Sequence, residues 1–444
     1  MYLVERRTSP APADADPGAT PARRRWAAVP ATVLALGAVS LITDVSSEMV
    51  TAVLPLYLVA GLGVSPLGFG LLDGIYNGFS SLVGLVGGHL ADRRGGRHKA
   101  VAAAGYGLSA LCKPFLLLAH SVGPIGALLA VDRTGKGLRT APRDALISLS
   151  TEPERRGRAF GVHRAMDTAG ALMGPLVAFG LLRLAQGSLL ADGGERSGYD
   201  SVFAVSGCVA AIGVLVLLLF VPNSSTTTQP EQSAEDAPAA ERPRLRASFA
   251  LLHRPALLRL TLCAVLLGLT TVSDSFLYLL LQRQLKLPVY LFPLLPIGTA
   301  AGFLLLAVPL GVLADRVGRR RLFLAGHLAL LLAYGVLLNS SAQWAVFLVL
   351  ALHGSFYAAT DGVLAAAAAD AVPAEHRGAG LALVNTGQTA ARFVCSLAFG
   401  AAWTVWGPHT ALAAATGGLA LCAALAALTL RSRPPHPSSD EAPA

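Results

Sequence analysis

Six charged side chains lie in one otherwise apolar stretch, Val131–Leu146: Asp132, Arg133, Lys136, Arg139, Arg143 and Asp144. If the stretch is helical, Asp132, Lys136, Arg139 and Arg143 share one face, because they follow each other at intervals of four, three and four residues. A charge at the centre of a membrane helix costs about 2.5–3.5 kcal/mol. In a membrane protein such a row would face a protein interior or a water-filled cavity, so it predicts a functional site.

The composition of the chain indicates that it is a membrane protein. Of its 444 residues 54% are hydrophobic and only 14% are charged, and the mean hydropathy is +0.58. Apolar stretches of about 20 residues, long enough to cross a bilayer as helices, recur along the sequence. They predict twelve transmembrane helices near 30–60, 66–91, 100–120, 122–147, 159–184, 200–222, 254–281, 289–314, 320–340, 342–369, 378–404 and 408–431.

The predicted helices fall into two groups of six. We expect an N-terminal six-helix bundle over residues 30–222 and a C-terminal six-helix bundle over residues 254–431. The segment 223–253 between them is rich in Ser, Thr, Gln, Glu and Pro, which predicts a cytoplasmic linker. Residues 1–29 and 432–444 are expected to be disordered cytoplasmic tails.

The distribution of positive charge predicts the orientation of the chain. The net charge is +9, but Lys and Arg concentrate in the tails and in alternate loops. Only Arg183, Arg196, Arg283 and Lys286 are assigned to the opposite side. This positive-inside pattern predicts that both termini are cytoplasmic, and it explains the basicity without a nucleic-acid partner.

The sequence carries no signature of enzyme, metal or cofactor chemistry. The five cysteines are scattered singly through apolar segments, without a CxxC motif or a His/Cys cluster. The stretch Thr134–Gly137 lacks the spacing of a phosphate-binding loop, and zinc-protease and serine-hydrolase motifs do not occur. We therefore expect neither a cofactor nor a bound metal.

Two pairs of loop motifs relate the halves of the chain. Gly88-His-Leu-Ala-Asp92-Arg93 is repeated as Gly311-Val-Leu-Ala-Asp315-Arg316 at an offset of 223 residues. Pro153-Glu-Arg-Arg156-Gly157 is echoed by Pro373-Ala-Glu-His-Arg377-Gly378. Repeated units of this kind predict two structurally equivalent six-helix halves.

These loops resemble the G-x-L-x-D-R-x-G-R-R signature of the major facilitator superfamily. The resemblance extends to the fourth helix, where Arg133, Gly137 and Ala141 are similar to the family's R-x-x-x-G-x-x-x-A pattern. Gly170–Pro175 is similar to a fifth-helix pattern of exporters, although the trailing glycines are missing, and the first loop has one extra residue. The resemblance implies an all-α membrane protein with twelve transmembrane helices in two pseudo-symmetric six-helix bundles, working by alternating access.

The repeated loops provide the gating candidates. Gly88 and Gly311 would allow close helix approach, and the adjacent carboxylates would lie at the cytoplasmic surface. There each carboxylate could meet the positive N-terminus of a helix or a neighbouring arginine in one conformation only. The predicted gating residues are Gly88, Asp92, Arg93, Gly311, Asp315 and Arg316. The alternative, that the arginines only set the topology, stays open.

Two carboxylates of the first helix are the candidates for ion coupling. Asp44 and Glu48 are one turn apart, so they share a face and are costly in a membrane unless they are paired or protonated. In the resembled fold the first and fourth helices line the central cavity, which makes Arg133 the expected partner. We predict proton coupling through Asp44, Glu48 and Arg133. A static ion pair, or substrate contact without proton transfer, stays open.

The remaining polar positions are candidates for substrate binding. Lys136, Arg139 and Arg143 would attract anionic groups. The two arginines could instead pair with Asp144, lipid headgroups or the loop at Glu152–Glu154. In the second half the candidates are Asp274, Asn385 and Gln388.

Together these features predict a secondary transporter of the cell inner membrane, which moves a small organic solute by proton-coupled export. One alternative is an uptake symporter or facilitator for an anionic metabolite. An alternative of another class is a non-transporting membrane sensor or assembly partner. The expected partners are the bilayer, protons and a small-molecule substrate, and nothing in the sequence requires more than a monomer.

Overall fold

The computed structural model describes residues 29–78, 98–187, 194–222, 251–373 and 377–429. Both predicted tails lie outside this range, except for Val29, as does the predicted linker up to residue 250. The predicted gating residues Gly88, Asp92 and Arg93 also lie outside the described residues. Within the described ranges all regular secondary structure is helical.

The described residues form twelve long helices, one of which is broken into two segments. In chain order they are α1 (Ala31–Leu56), α2 (66–78), α3 (His98–Leu116), α4 (Val122–Leu149), α5 (Arg156–Gly187), α6 (Gly194–Phe220), α7a (Pro255–Gly268) with α7b (Asp274–Gln284), α8 (Leu295–Val317), α9 (Arg319–Asn339), α10 (Ala345–Asp370), α11 (Arg377–Trp406) and α12 (Pro408–Thr429). Seven of the described spans are long and apolar enough to cross a membrane: α1, α5, α6, α8, α9, α10 and α12. This confirms the predicted all-α membrane fold.

The seventh helix differs from the continuous span predicted over 254–281. It is interrupted between Gly268 and Asp274. Thr271 turns its hydroxyl back onto the carbonyl of Leu267, at 2.8 Å, and so competes with the helical backbone ladder. The backbone N–H of Val272 donates instead to the hydroxyl of Tyr334, at 2.9 Å. The break is thus stabilised by hydrogen bonds from side chains, one of them on a distant helix.

Each half packs mainly within itself. In the first half α1 lies against α5 and α6, and α3 lies against α4 and α6. In the second half α10 packs against α8 and α9, while α7a packs against α11 and α12. Glycines bring backbones together in both halves: a Cβ atom on Gly135 would lie 2.6 Å from the carbonyl oxygen of Gly105, and one on Gly354 would lie 2.6 Å from that of Thr299. Small residues are a common means of close helix packing in membranes.

The two halves meet where α2 begins, and we call the contact of α2 with α11 and α7b the seam. A Cβ atom on Gly70 would collide with the backbone carbonyl of Ser396 in α11. The ring of Phe276 in α7b packs between Phe69 of α2 and Phe399 of α11, with centroid distances of 4.8 and 4.9 Å. At this end of the molecule the halves are therefore in direct contact.

Candidate functional site

One buried carboxylate, Asp132, organises the charges where α3 meets α4. It is 8% exposed, and it accepts a hydrogen bond from Arg133 at 2.9 Å. From α3, Ser109 donates to it at 2.7 Å and the ammonium of Lys113 lies 3.8 Å away. The close approach of Gly105 and Gly135 brings α3 within reach. A single acid thus serves two buried cations, an arrangement that is costly to disrupt.

Arg133 does not pair with Asp44 as expected, and Glu48 is a charged neighbour of Arg133 without forming an ion pair with it. Arg133 pairs with Asp132, and its guanidinium lies 3.8 Å from the centroid of the Tyr76 ring in α2. It is Arg139 whose guanidinium reaches Asp44, at 3.3 Å.

The antiparallel course of α1 and α4 explains why Arg139, and not Arg133, pairs with Asp44. Arg143 contacts Ser40, whereas Arg139 contacts Asp44, so positions rise along α1 as they fall along α4. Arg133 is therefore too far along α4 to reach Asp44. Sequence spacing placed the charges on one face but could not fix their height against α1.

Asp44 is a buried carboxylate with several charged neighbours. It is 8% exposed, with Asp167 of α5 and Lys136 of α4 nearby in addition to Arg139. Glu48, one turn further along α1, is only partly buried and forms no ion pair with a described residue. The structure therefore brings Lys136 and Arg139 close to Asp44, but only Arg139 is within ion-pair distance of it. Neither Lys136 nor Glu48 forms an ion pair with a described residue.

Arg143 lies near the end of the row. It pairs with Asp144 at 2.9 Å and lies 3.7 Å from Asp167. One alternative to substrate binding that the sequence left open for Arg143, a pair with Asp144, is thus observed. Asp167 also pairs with Arg164, at 3.6 Å, across one turn of α5.

Two small cavities lie on either side of Tyr76, whose hydroxyl is hydrogen-bonded to Thr51 of α1. The first is lined by Ser47, Lys113, Asp132 and Arg133 among apolar side chains. The second has Asp73 and Ser275 on its wall, also among apolar side chains. Tyr76 and Thr51 line both cavities, so they separate the charged centre of the first half from the seam.

Asp274 is the centre of a second polar cluster, at the start of α7b. It accepts a hydrogen bond from the Tyr357 hydroxyl at 2.6 Å, and its carboxylate lies 3.3 Å from Nε2 of His353. The Nδ1 atom of His353 forms a hydrogen bond of 3.3 Å with the hydroxyl of Thr299 in α8. The sequence analysis missed these partners in α10 and α8, although the spacing of His353 and Tyr357 places them on one face of an apolar helix.

The other substrate-binding candidates lie along α11. Asn385 is exposed and Gln388 is partly buried. One turn further, Arg392 has Asp274 and Asp361 as its nearest carboxylates, and its Nε is buried without a hydrogen bond to a described residue. The structure thus places Arg392 near the Asp274 cluster, and Gln388 beside Gly268 at the end of α7a.

The described gating candidates lie at the end of the molecule opposite to the seam. Asp315 is exposed at the end of α8 and lies 3.9 Å from Arg319, the first residue of α9. Arg316 is exposed. A Cβ atom on Gly311 would meet no described residue within 4 Å, so the close helix approach expected there is not observed among the described residues and stays a prediction. In α8 that role belongs to Gly302, which packs against Gly354.

This arrangement, two six-helix groups with buried charged clusters and a seam at one end, defines a multi-pass membrane transporter. Among the described residues no group of three His, Cys, Asp or Glu side chains is placed to hold a metal ion. A family model described as Major Facilitator Superfamily matches residues 36–307 and 294–444. The chain belongs to the major facilitator superfamily, a family of transporters and not of enzymes.

Individual relatives agree with this assignment. The chain is 28% identical over 391 residues to the uncharacterized MFS-type transporter MJ1317 of Methanocaldococcus jannaschii, covering 84% of this chain and 88% of that protein. It is 30% identical over 189 residues to the multidrug resistance protein MdtH of Photorhabdus laumondii, covering 41% and 42% of the two chains.

Solved structures share the fold at low sequence identity. The nucleoside transporter NupG is 14% identical, with a TM-score of 0.71 over 90% of this chain and 100% of that one. A bacterial homolog of the human lysosomal transporter Spinster, in an inward-facing and occupied conformation, is 17% identical, with a TM-score of 0.68 over 94% and 98%.

Proposed function

We propose that the protein is a proton-coupled exporter of a small organic solute, working by alternating access in the plasma membrane with both termini in the cytoplasm. The positive-inside distribution of Lys and Arg supports this orientation. It would make the seam the outward-facing end, so that the structure is closed to the outside. The similarity of part of the chain to a multidrug resistance protein supports export.

The observation that carries the proposal is the pairing of Asp44 with Arg139 in the middle of the first half. The pair is buried, and its single contact is 3.3 Å long. Asp167 presents a second carboxylate to the same place. If helix movement withdraws Arg139, and Lys136 does not take its place, a proton neutralises Asp44.

Glu48 supplies a second acid on the same face of α1. It shares this face one turn closer to the seam, and it has no ion pair with a described residue. Protons or substrate could therefore meet Glu48 before Asp44. The pair Asp44 and Glu48 remains the proposed coupling site, and Arg139 takes the partner role predicted for Arg133. Arg133 would act through Tyr76 and Asp132.

The test is substrate flux in proteoliposomes with an imposed pH gradient. Candidate substrates are first identified by thermal shift, since a ligand that binds the native state raises its melting temperature. We expect wild-type flux to follow the proton gradient and Asp44→Asn to abolish gradient-driven flux while exchange between equal substrate pools continues. Asp144→Asn, a partly exposed acid on α4, is the matched control. Flux that ignores the gradient would refute proton coupling.

Lys136 favours a second candidate function, uptake of an anionic metabolite. It is partly buried and, alone among the row Lys136, Arg139 and Arg143, it has no ion-pair partner among the described residues. In this case anions should raise the melting temperature of the wild type, and Lys136→Gln should remove the shift. Stabilisation by cations or neutral lipophiles that persists in Lys136→Gln favours the exporter.

A further inference from the structure

The seam contains a buried carboxylate that the coupling site does not use. Asp73 of α2 is 5% exposed. Its Oδ2 accepts a hydrogen bond of 2.7 Å from the hydroxyl of Ser396 in α11, on the other half of the molecule. Its Oδ1 lies 3.2 Å from the side-chain amide of Asn77, on its own helix. No Lys, Arg or His among the described residues forms an ion pair with it, so its charge must be balanced by dipoles.

The break in the seventh helix supplies those dipoles. Ser273 and Ser275, on either side of the first residue of α7b, are neighbours of Asp73, and Ser275 lines the same cavity as Asp73. The Ser273 hydroxyl is buried and forms no hydrogen bond to a described residue. Ser273 is the N-cap residue of α7b but does not cap it with its own side chain. The carboxylate of Asp73 therefore lies at the start of an 11-residue helix whose first N–H groups lack a side-chain cap. Negative charge is stabilised at this end of a helix.

We infer that Asp73 is a gating residue, a latch that holds the seam closed by joining α2 to both α11 and the N-terminus of α7b. Asp73 belongs to the first half, and α11 and α7b belong to the second. Asp73 can therefore contact these two helices only while the seam is closed. An interaction made in one conformation and lost in the other biases the equilibrium by its differential free energy.

The neighbourhood of Asp73 supports a role in movement. Asp274, the next residue after Ser273, is the other carboxylate close to Asp73, and it is held by His353 and Tyr357. Tyr76 lies one turn along α2 and carries Arg133 on its ring. The latch thus lies between the charged centres of the two halves, where helix movements in either half would reach it. It stands at the end opposite to Asp315.

Two native cysteines make the latch measurable. Cys395 adjoins Ser396 on α11 and is 4% exposed close to Asp73. Cys263 is 2% exposed on α7a and contacts Thr429 of α12 within the second half, away from the seam. Full-length proteins that retain either Cys395 or Cys263 as their single cysteine would report separately on seam opening and on general loosening.

The experiment is the rate of maleimide labelling of each single-cysteine protein in detergent, without substrate. Asp73→Ala should raise the labelling rate of Cys395 by about tenfold or more, because hydrogen bonds to a charged group are lost from the closed state only. Asp73→Asn removes the same negative charge beside the Cys395 thiol, which by itself speeds labelling, but it retains a hydrogen-bonding side chain and should give a smaller increase than Asp73→Ala. Ser396→Ala leaves that charge in place, so its increase, about threefold, reports seam opening alone. Equal increases in Asp73→Asn and Asp73→Ala without one in Ser396→Ala would overturn the proposal. The rate for Cys263 should stay unchanged in all three.

Ser355→Ala is the matched control for Ser396→Ala, because among the described residues the Ser355 hydroxyl donates only within its own helix, to the carbonyl of Ala351. The proposal is overturned if Cys395 labels at the wild-type rate in Asp73→Ala. It is equally overturned if Cys263 accelerates in parallel, since the substitution would then loosen the whole fold. No transport is measured, so the result is independent of whether the protein exports and of whether protons drive it.

Discussion

The two halves of the molecule stabilise their buried polar groups differently. In the first half, positive and negative side chains pair directly, as Asp132 does with Lys113 and Arg133, and Asp44 with Arg139. In the second half one carboxylate, Asp274, is held by a tyrosine and a histidine. A substitution in one member of a buried ion pair is strongly destabilising, because the other member is left as an uncompensated buried charge. Direct buried ion pairs are thus concentrated in the first half, where we propose the coupling site, and the second half relies on hydrogen bonds to Asp274.

The largest effect that this comparison predicts is that of Asp132→Asn. The change keeps the side-chain volume but leaves two buried cations, Lys113 and Arg133, without their shared counterion. We expect a loss of about 3–5 kcal/mol in the free energy of unfolding, measured by denaturant titration in detergent micelles.

The control is Asp144→Asn in the same helix. The side chain of Asp144 is 43% exposed, and its partner Arg143 retains Asp167. A loss of about 0.5 kcal/mol or less is expected there. If Asp132→Asn and Asp144→Asn lost the same free energy of unfolding, the burial of Asp132 would not explain its contribution to stability, and the expectation would be contradicted.

An intermediate effect is expected in the second half, for Tyr357→Phe. The change removes one hydrogen bond of 2.6 Å to Asp274 and leaves the contact with His353 in place. Hydrogen bonds to charged groups contribute about 1.5–3 kcal/mol, and Asp274 is only partly buried, so we expect a loss of about 1–2 kcal/mol in the same titration.

Tyr290→Phe is the matched control, because the Tyr290 ring packs against Phe179 and its hydroxyl has no hydrogen bond to a described residue. It should leave the free energy of unfolding unchanged. A loss in Tyr357→Phe as large as that of Asp132→Asn would show that the two halves do not differ in the way proposed here.

The sequence was sufficient for the fold because the fold depends on properties that are local or repeated. Apolar length predicts the helices, and the repeat of Gly88–Arg93 as Gly311–Arg316 predicts two equivalent halves. The break after Gly268 escaped prediction, because the hydrogen bond from Val272 to Tyr334 that stabilises it joins residues 62 positions apart.

The site was predicted less well, because its contacts depend on how helices are placed against each other. The types and the common face of the charges on α4 were predictable, but whether Arg133 or Arg139 reaches Asp44 depends on the relative height of α1 and α4. Asp73 could not be singled out for the same reason, since its neighbour Ser275 and its hydrogen-bond partner Ser396 are about 200 and 320 residues away along the chain. Gating through Asp92, Asp315 and the neighbouring residues stays a prediction.

The smallest effect concerns the ion pair of Arg319 with Asp370, which joins the start of α9 to the end of α10. Its side chains are 36% and 66% exposed, so solvent and salt screen the pair, and it should contribute about 0.5 kcal/mol or less. A double-mutant cycle with Arg319→Gln and Asp370→Asn, at low and high salt, measures this coupling directly. A coupling energy above about 2 kcal/mol that survives high salt would contradict the expectation. The second half would then also depend on a strong ion pair, at the end where Asp315 contacts the same arginine, and the contrast between the halves would be confined to their buried centres.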